Sequence, residues 1–263
     1  MKVVVCTKQT PSTTAVITLN DDGTVSWEDA GGKPNILNPW DEYGVETGIR
    51  MKEAGTTSDV IALAAGAPDD TVGLKTALAM GCTEAILVSD EGYMGVDTLG
   101  TARILSAAIN HIGDVKIVIF GRQINGDLGH TAVQTAVKLG WTPLTQVVAV
   151  IEVTDDKIVV ERALDDGRET VEAPLPVVLS VSKEIYEPRY PSFMGIRKAN
   201  RIKIPIWGND ELGIDANAGG SKVDWSNIYD IPAREGSVEI IESDDMADAA
   251  EELVEKLFEE KVI

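Results

Sequence analysis

The chain alternates short runs of consecutive apolar residues with longer amphipathic segments, and this alternation constrains its fold more than any other feature. The runs are rich in β-branched residues, which is typical of strands that are buried on both faces. They span residues 3–7, 59–64, 85–89, 116–120 and 177–181. The amphipathic segments span residues 40–54, 70–80, 97–112 and 130–139. The pattern predicts a three-layer α/β/α fold around a doubly wound, mostly parallel sheet.

The pattern changes after residue 140. Residues 145–153 and 157–162 alternate apolar and polar side chains on either side of a turn, and residues 169–172 suit one more strand. These segments predict an antiparallel extension of the sheet.

Residues beyond 205 are loop-like in composition until a C-terminal stretch places its apolar residues on one helix face, with Ser243 or Asp244 as the N-cap. The sequence therefore predicts an α/β domain at residues 1–205 and an extended C-terminal helical arm at residues 206–263. Because a single helix has no core of its own, we expect the arm to pack on a partner. The alternative is a helix that folds back onto its own sheet.

The charge balance limits the possible partners. The chain holds 43 acidic residues against 23 basic ones, a formal charge of −20, which argues against binding to nucleic acid or to an anionic membrane. The charge is uneven, because residues 237–263 carry ten acids and two lysines whereas residues 183–203 carry six bases and two acids. The basic segment predicts a contact surface for an acidic partner or an anionic cofactor, with a solvated turn as the alternative.

Cysteine usage and hydropathy indicate a cytoplasmic protein, with the soluble face of a larger assembly as the alternative. Cys6 and Cys82 lie in apolar surroundings without a CxxC spacing, which is typical of buried thiols in a reducing compartment. The first residues lack the apolar stretch of a signal peptide, and no run approaches the ~20 apolar residues of a membrane span. With only His111 and His130 available, we expect no multi-histidine metal site.

A glycine-rich segment at residues 121–131 is the strongest candidate for ligand binding. Ligands of doubly wound sheets lie at the carboxyl ends of the strands, where residues 6–8 and 64–69 should meet this segment. Its three glycines permit close approach of the backbone, and the helix that follows offers an N-terminus to a phosphate. The alternative is a plain helix-capping loop. Because no catalytic constellation occurs in the sequence, we expect a binder of a nucleotide and not an enzyme.

Several segments of the chain resemble electron transfer flavoprotein β subunits, the family that includes FixA. Residues 160–180, with Arg162-Ala163-Leu164-Asp165-Asp166-Gly167 near their start, are similar to that family's signature. Glu187-Pro188-Arg189-Tyr190 resembles its EPRY loop, and residues 37–39, 76–81 and 121–123 match in order. The resemblance covers nearly the whole chain.

The resemblance implies a function and a set of partners. Members of this family pair with an α subunit as a heterodimer, and the C-terminal arm embraces that subunit. The heterodimer carries electrons through FAD between flavin-containing dehydrogenases, such as acyl-CoA dehydrogenases, and a downstream acceptor. The β subunit is thus an electron-carrier subunit, and in some members it forms part of a complex that bifurcates electrons from NADH.

The resemblance also implies site residues and an adenine-nucleotide-binding fold for the α/β domain. Those expected to hold the nucleotide are Cys6, Asn38, Pro39, Trp40, Asp41, Ala65, Gly121, Arg122, Gln123, Asn125, Gly126, Asp127, Leu128, Gly129, His130 and Thr131. Those expected to contact partner proteins are Glu169, Arg189, Phe193 and Arg197. Phe193 takes the position of the side chain that enters a pocket on the dehydrogenase, and Glu169 that of a glutamate which pairs with the mobile flavin domain of the α subunit.

The β-site ligand and the competing functions stay open at this point. Simple members hold AMP in the β subunit and bifurcating members hold FAD; residues 8–11, 97–99 and 121–123 look more like the bifurcating type, so we expect FAD. A nucleotide-binding regulatory protein of the universal-stress type would share the sheet and the glycine-rich loop. An ATP-using ligase or pyrophosphatase on the same fold is disfavoured, because the SGGxDS-type loop is absent after the first strand.

Overall fold

The computed structural model describes residues 1–29, 35–93, 95–122, 129–214, 221–223, 228–229, 232, 236 and 238–263. Two compact units make up the chain, Met1–Ser226 and Asn227–Ile263. The predicted residues Gln123, Asn125, Gly126, Asp127 and Leu128 lie outside the described part.

A nine-stranded sheet with the order β11-β10-β9-β12-β8-β1-β6-β7-β13 forms the centre of the first unit. In this order, each strand from β9 through β12, β8, β1, β6 and β7 to β13 is parallel to its neighbour. The remaining pairs, β9 with β10 and β10 with β11, are antiparallel. The strands of this sheet are β1 (Lys2–Cys6), β6 (Asp59–Ala65), β7 (Glu84–Val88), β8 (Val115–Gly121), β9 (Thr142–Val153), β10 (Lys157–Leu164), β11 (Gly167–Pro174), β12 (Val177–Val181) and β13 (Ile206–Trp207). The expected mostly parallel sheet with an antiparallel extension is confirmed.

Helices cover both faces of this sheet. In chain order the helices are α1 (Pro39–Glu53), α2 (Val72–Met80), α3 (Thr98–Ile112), α4 (His130–Leu139), α5 (Phe193–Ala199), α6 (Asn209–Leu212) and α7 (Met246–Glu259). The core on one face is built with α1 and α2, and the core on the other face with α3 and α4. The fold is therefore the three-layer α/β/α arrangement that the sequence predicts.

Strand β1 shows why its apolar residues are consecutive. Val3 and Val5 join the core beneath α1 and α2, whereas Val4 and Cys6 join the core beneath α3 and α4. Successive side chains of a strand point to opposite faces, so a strand covered on both sides needs apolar residues at every position. All four side chains are nearly or fully buried.

Helix α1 lies closely against the sheet. Pro39 opens the helix, and Asp41 in the first turn and Arg50 in the last turn are placed favourably for the helix dipole. A Cβ atom at Gly48 would come within 2.9 Å of γ-carbons of both Val5 and Val60. The glycine therefore allows the backbone of α1 to approach the strands.

Two small antiparallel pairs lie outside the main sheet and were not predicted. They consist of β2 (Gln9–Pro11) with β5 (Asn35–Leu37) and of β3 (Val16–Leu19) with β4 (Val25–Glu28). Strand β4 is exposed along its whole length, so it lacks the burial pattern by which strands are found in a sequence.

The second unit contains α7. Asp245 is its N-cap, with the side chain accepting a hydrogen bond from the backbone N–H of Ala247 at 2.8 Å. The predicted caps Ser243 and Asp244 are thus corrected to Asp245, which lies next to the first helical residue. None of the side chains of α7 is buried.

The division of the chain differs from the predicted boundary between residues 205 and 206. Strand β13 pairs with β7, and its residues belong to the first unit with α6. Packing of the arm on a partner stays a prediction.

Within the part of the chain that the structure describes, no helix is both long and apolar enough to cross a membrane.

Candidate functional site

A cavity of about 580 Å³ opens at the carboxyl ends of the central strands. Strands β6 and β7 continue from β1 towards one edge of the sheet, whereas β8 lies on the other side of β1. Ligands of doubly wound sheets bind at such a reversal of strand order. The cavity is lined there by residues that follow three strands, namely Thr7 and Lys8 after β1, Gly66 and Ala67 after β6, and Gly121 at the end of β8. The described residues of the three loops that the sequence predicts to converge do meet at this cavity.

Asp41 joins three elements at the floor of this cavity. Its carboxylate accepts a hydrogen bond from the backbone N–H of Lys8 at 2.8 Å and further bonds from the Asn38 side chain and the Gly121 backbone. Burial raises the pKa of Asp41 to about 7, although these donors act in the opposite direction. The group therefore takes up a proton near neutral pH, in contrast to an ordinary aspartate.

The N-terminus of α4 forms another wall. Its N-cap is Gly129, a left-handed residue with φ of 81° that supplies no side-chain cap. A Cβ atom there would overlap the carbonyl oxygen of Arg122, so the position requires glycine on two grounds. Thr131 and Ala132 of the first turn line the cavity. The N-terminus of a helix suits the phosphate of a ligand, because its dipole and its backbone N–H groups favour negative charge.

A polar corner is formed between β2 and the loop after β6. The side-chain amide of Gln9 donates to Asp70 at 2.9 Å and its oxygen accepts from the backbone N–H of Val72, at the start of α2. Asp70 also accepts from the backbone N–H of Ala67 at 2.8 Å. These bonds fix the loop that borders the cavity. Gln9 was not predicted as a site residue, because its bond to the start of α2 joins segments that are distant in the chain.

The far side of the cavity lies beside α3. Tyr93, Val96, Thr98, Thr101 and Leu105 line it and provide a mixed apolar and polar surface. Most of these residues were missed as site residues, because they follow β7 and an irregular connection instead of a glycine-rich loop.

A segment from the far end of the first unit also reaches this side. Asp97 accepts hydrogen bonds from the backbone N–H groups of Gly100, within α3, and of Lys222. These backbone bonds, that from Gly100 foremost, hold the pKa of Asp97 below its usual range. Val223, next to Lys222, lines the cavity.

The charge of the lining is mostly negative. Lys8 is the only basic side chain among its described residues, whereas Asp41, Asp70 and Asp97 are acidic. A phosphate here would therefore be held chiefly by backbone N–H groups. Cys6 also lines the cavity; burial, reinforced by the neighbouring Asp41, raises the pKa of its thiol well above the ordinary value. The thiol is thus a neutral packing group.

The structure separates the described residues predicted to hold the nucleotide into three sets. Those that line the cavity are Cys6, Asp41, Ala65, Gly121, Gly129 and Thr131. Arg122 and His130 instead line a second cavity of about 470 Å³, which shares Gly129 with the first. Asn38, Pro39 and Trp40 form the start of α1. Their roles in binding stay predictions.

The residues predicted to contact partners lie away from the cavity. Glu169 on β11 forms an ion pair with Arg162 at 2.6 Å. Phe193, with 80% of its surface exposed, opens α5, and Arg197 is exposed in its last turn. We name residues 187–199 the docking loop.

Arg189 differs from the other members of this set. Its guanidinium forms ion pairs with Glu46 at 2.8 Å and with Glu53 at 2.6 Å, both on α1. It is therefore engaged within the chain, and its contact with a partner stays a prediction.

No group of three or more potential metal-ligating side chains occurs among the described residues. The fold and this cavity define the class of the protein, a doubly wound α/β protein with a candidate ligand site at the switch point of its sheet.

Comparison with known proteins narrows this class to a family. The profile of the electron transfer flavoprotein domain matches residues 29–212. The caffeyl-CoA reductase-Etf complex subunit CarD of Acetobacterium woodii is 35% identical over 266 residues, and the alignment covers all of both chains. The electron transfer flavoprotein subunit beta of Thermoanaerobacterium thermosaccharolyticum is 37% identical, again over all of both chains. The FixA protein of Azotobacter vinelandii is 31% identical over 98% of this chain and 95% of its own.

The chain belongs to the electron transfer flavoprotein β subunit family, which includes FixA. Its function is that of an electron-carrier subunit. The relatives match over the full length of the chain, including the segments that a universal-stress-type regulator or an ATP-using ligase would not explain. Those alternatives are thereby set aside.

Proposed function

We propose that this β subunit binds FAD in the cavity at the switch point and pairs with an α subunit in the cytoplasm. The observation that carries the proposal is the extent and lining of the cavity. It reaches from Lys8 and Asp41, across the N-terminus of α4, to Leu105 on α3. This extent favours a dinucleotide over AMP, and its volume of about 580 Å³ lies within the ~300–1,000 Å³ of typical ligand sites.

The residues present fit the parts of such a ligand. The first turn of α4, with Gly129 as its N-cap, suits the diphosphate. Val96 and Leu105 offer apolar contacts to a ring system, and Thr98 and Thr101 offer hydroxyl groups. FAD supplies the redox chemistry when it is bound, and the chain positions it and excludes water. A second flavin in the complex is what bifurcation of electrons from NADH would require.

The proposed partners follow from the family. An α subunit would bind the arm and complete the electron carrier, and a flavin-containing dehydrogenase would contact the docking loop at Phe193. Glu169, paired with Arg162, would meet the mobile flavin domain of the α subunit. An exposed ion pair between Glu169 and that domain would contribute roughly 0–1 kcal/mol. Such a weak contact suits a domain that must move between positions.

Substitution of Thr131 tests the placement of the ligand. The Thr131→Ala variant and a Val133→Ala control should be purified with the α subunit, and the ligand released by heat should be identified by mass. Val133 is on the same helix but outside the lining of this cavity. We expect FAD from the control and about tenfold weaker retention in the Thr131→Ala variant, because a hydrogen bond to a charged group contributes ~1.5–3 kcal/mol.

Two results would contradict this proposal. Equal retention in both variants would refute the position of the diphosphate at α4. Release of AMP from the β site, with FAD present in the α subunit only, would refute FAD as the ligand of this cavity.

A further inference from the structure

The docking loop is attached to the rest of the chain at two points. Near its start, Arg189 uses its backbone N–H, Nε and Nη2 to bond Glu46 at 3.2, 2.8 and 3.0 Å. The same guanidinium bonds both carboxylate oxygens of Glu53 through Nη1 and Nη2, at 2.6 and 3.0 Å. Contacts of this forked kind restrict both the distance and the orientation of an arginine.

Glu46 is the centre of the first attachment. Its side chain is only 1% exposed, although it carries a charge, and it also accepts a hydrogen bond from Nε of Arg50 at 2.7 Å. The guanidinium of Arg50 in turn lies 4.5 Å from the ring centroid of Tyr186, just before the loop. One buried carboxylate thus binds two arginines. Arg50 contacts Tyr186 just before the loop, and Arg189 is part of the loop itself. A buried charge of this kind is stable only while its partners stay in place.

The second attachment is at α5. Gly195 lies so close to α2 that a Cβ atom there would overlap the carbonyl oxygen of Ala79. Ser192 caps the helix by accepting a hydrogen bond from the backbone N–H of Gly195 at 2.9 Å, and Ala199 is buried at its end. The loop is thereby fixed against α1 at one end and α2 at the other.

The loop exposes its apolar side chains between these attachments. Tyr190, Phe193 and Met194 have 95%, 80% and 68% of their surface exposed. Apolar anchors on a segment that is already ordered bind with a smaller loss of conformational entropy than anchors on a mobile loop.

We propose that Glu46 is a positioning residue for partner recognition, which holds the docking loop through Arg189 in the conformation that presents Phe193. This inference rests on the proposed function, because it takes the docking loop as the surface that meets the dehydrogenase. It predicts that a change at Glu46, whose side chain is only 1% exposed, weakens docking.

Steady-state kinetics of the full chain assembled with its α subunit provide the test. An acyl-CoA dehydrogenase that reduces the wild-type protein serves as the probe. We expect Glu46→Gln to raise the KM for the dehydrogenase about tenfold with little change in kcat, because only the ordering of the loop is lost. Glu53→Gln is the matched control: it removes an exposed partner of the same arginine, and its effect should be below about threefold.

Hydrogen exchange supplies a readout that does not depend on the dehydrogenase. Glu46→Gln should speed amide exchange in residues 189–199 and leave the bound nucleotide unchanged. Arg189→Lys, which keeps the charge but loses the fork, should do the same, and it serves if Glu46→Gln fails to fold. Unchanged exchange and unchanged KM in a folded variant would overturn the proposal.

The Phe193→Ala variant distinguishes failure of the proposed docking function from failure of the positioning role of Glu46. If it leaves the KM unchanged, the docking loop is not the recognition surface and the proposed docking function fails. If it raises the KM while Glu46→Gln and Arg189→Lys do not, the docking function stands and the positioning role of Glu46 is refuted.

Discussion

Asp41 is the residue that links the segments around the candidate nucleotide cavity. Its carboxylate holds Lys8 after β1, Asn38 before α1 and Gly121 at the end of β8. The loops around the cavity therefore keep their spacing through one side chain. Burial makes the ionised form of that side chain unfavourable and raises its pKa to about 7, so the junction is also sensitive to pH.

The pH dependence of stability should reveal this group. An aspartate titrates near ~3.9 in the unfolded chain and at about 7 in the folded chain, so its contribution is complete below about pH 4 and is lost as the pH rises towards 7. The free energy of unfolding of the wild type should fall by up to about 4 kcal/mol relative to Asp41→Asn across that interval. Urea denaturation at several pH values measures it.

Asp97→Asn is the control for this experiment. The pKa of Asp97 is lowered, chiefly by the backbone N–H of Gly100, so its stabilising contribution is present above about pH 4 and is lost on acidification. The stability that Asp97 contributes should therefore increase with pH, whereas the stability that Asp41 contributes decreases. A wild-type curve that runs parallel to that of Asp41→Asn would contradict the buried, protonatable state of Asp41.

Helix α1 serves both functional regions of the chain. Its first turn carries Asp41 at the nucleotide cavity, and further along it carries Glu46 and Glu53, which hold Arg189 of the docking loop. The position of this helix on the sheet consequently matters for both.

Gly48→Ala tests how closely α1 must lie against the sheet. The added Cβ would meet γ-carbons of Val5 and Val60 at 2.9 Å, and overpacking costs about 1–3 kcal/mol. The higher helix propensity of alanine returns about 1 kcal/mol. We expect a net loss of about 1 kcal/mol in the free energy of unfolding, measured by chemical denaturation.

Gly167→Ala is the comparison for this substitution. A Cβ atom at Gly167 has open space around it, so its stability should stay within about 0.5 kcal/mol of the wild type. A Gly48→Ala variant that is as stable as the wild type would show that α1 can move away from the strands without loss.

The elements that the sequence predicts share a strong burial pattern. The five apolar runs correspond to β1, β6, β7, β8 and β12, and the amphipathic segments to α1 to α4. In each of these, the environment of the central sheet imposes the period of the apolar residues. The elements that were missed are short or exposed, such as β4, β13 and α5. Strand β13 also forms only by pairing with β7, which is distant in the chain.

The site was predictable to a similar degree. Glycines and strand ends locate Gly121, Gly129 and Thr131 at the cavity, because local backbone rules apply to them. Gln9 and Leu105 belong to the lining through tertiary contacts alone. The pairing of Arg189 with Glu46 spans 143 positions of the chain, and no local pattern reveals such a contact.

On the scale of the whole molecule, the candidate cavity and the docking loop belong to the first unit and to different elements of it. The nucleotide cavity lies at the carboxyl ends of the parallel strands, and the docking loop is held on α1 and α2. The acidic α7 belongs to a second unit.

The flavin content of the purified heterodimer is the most direct test of whether this β subunit binds FAD. The chain assembled with its α subunit should be denatured, and the released nucleotides should be identified by mass and quantified by absorbance against protein. We predict two FAD molecules per heterodimer and weaker retention of one of them when Thr131 is replaced by alanine. One FAD together with one AMP, or no flavin at all, would contradict it.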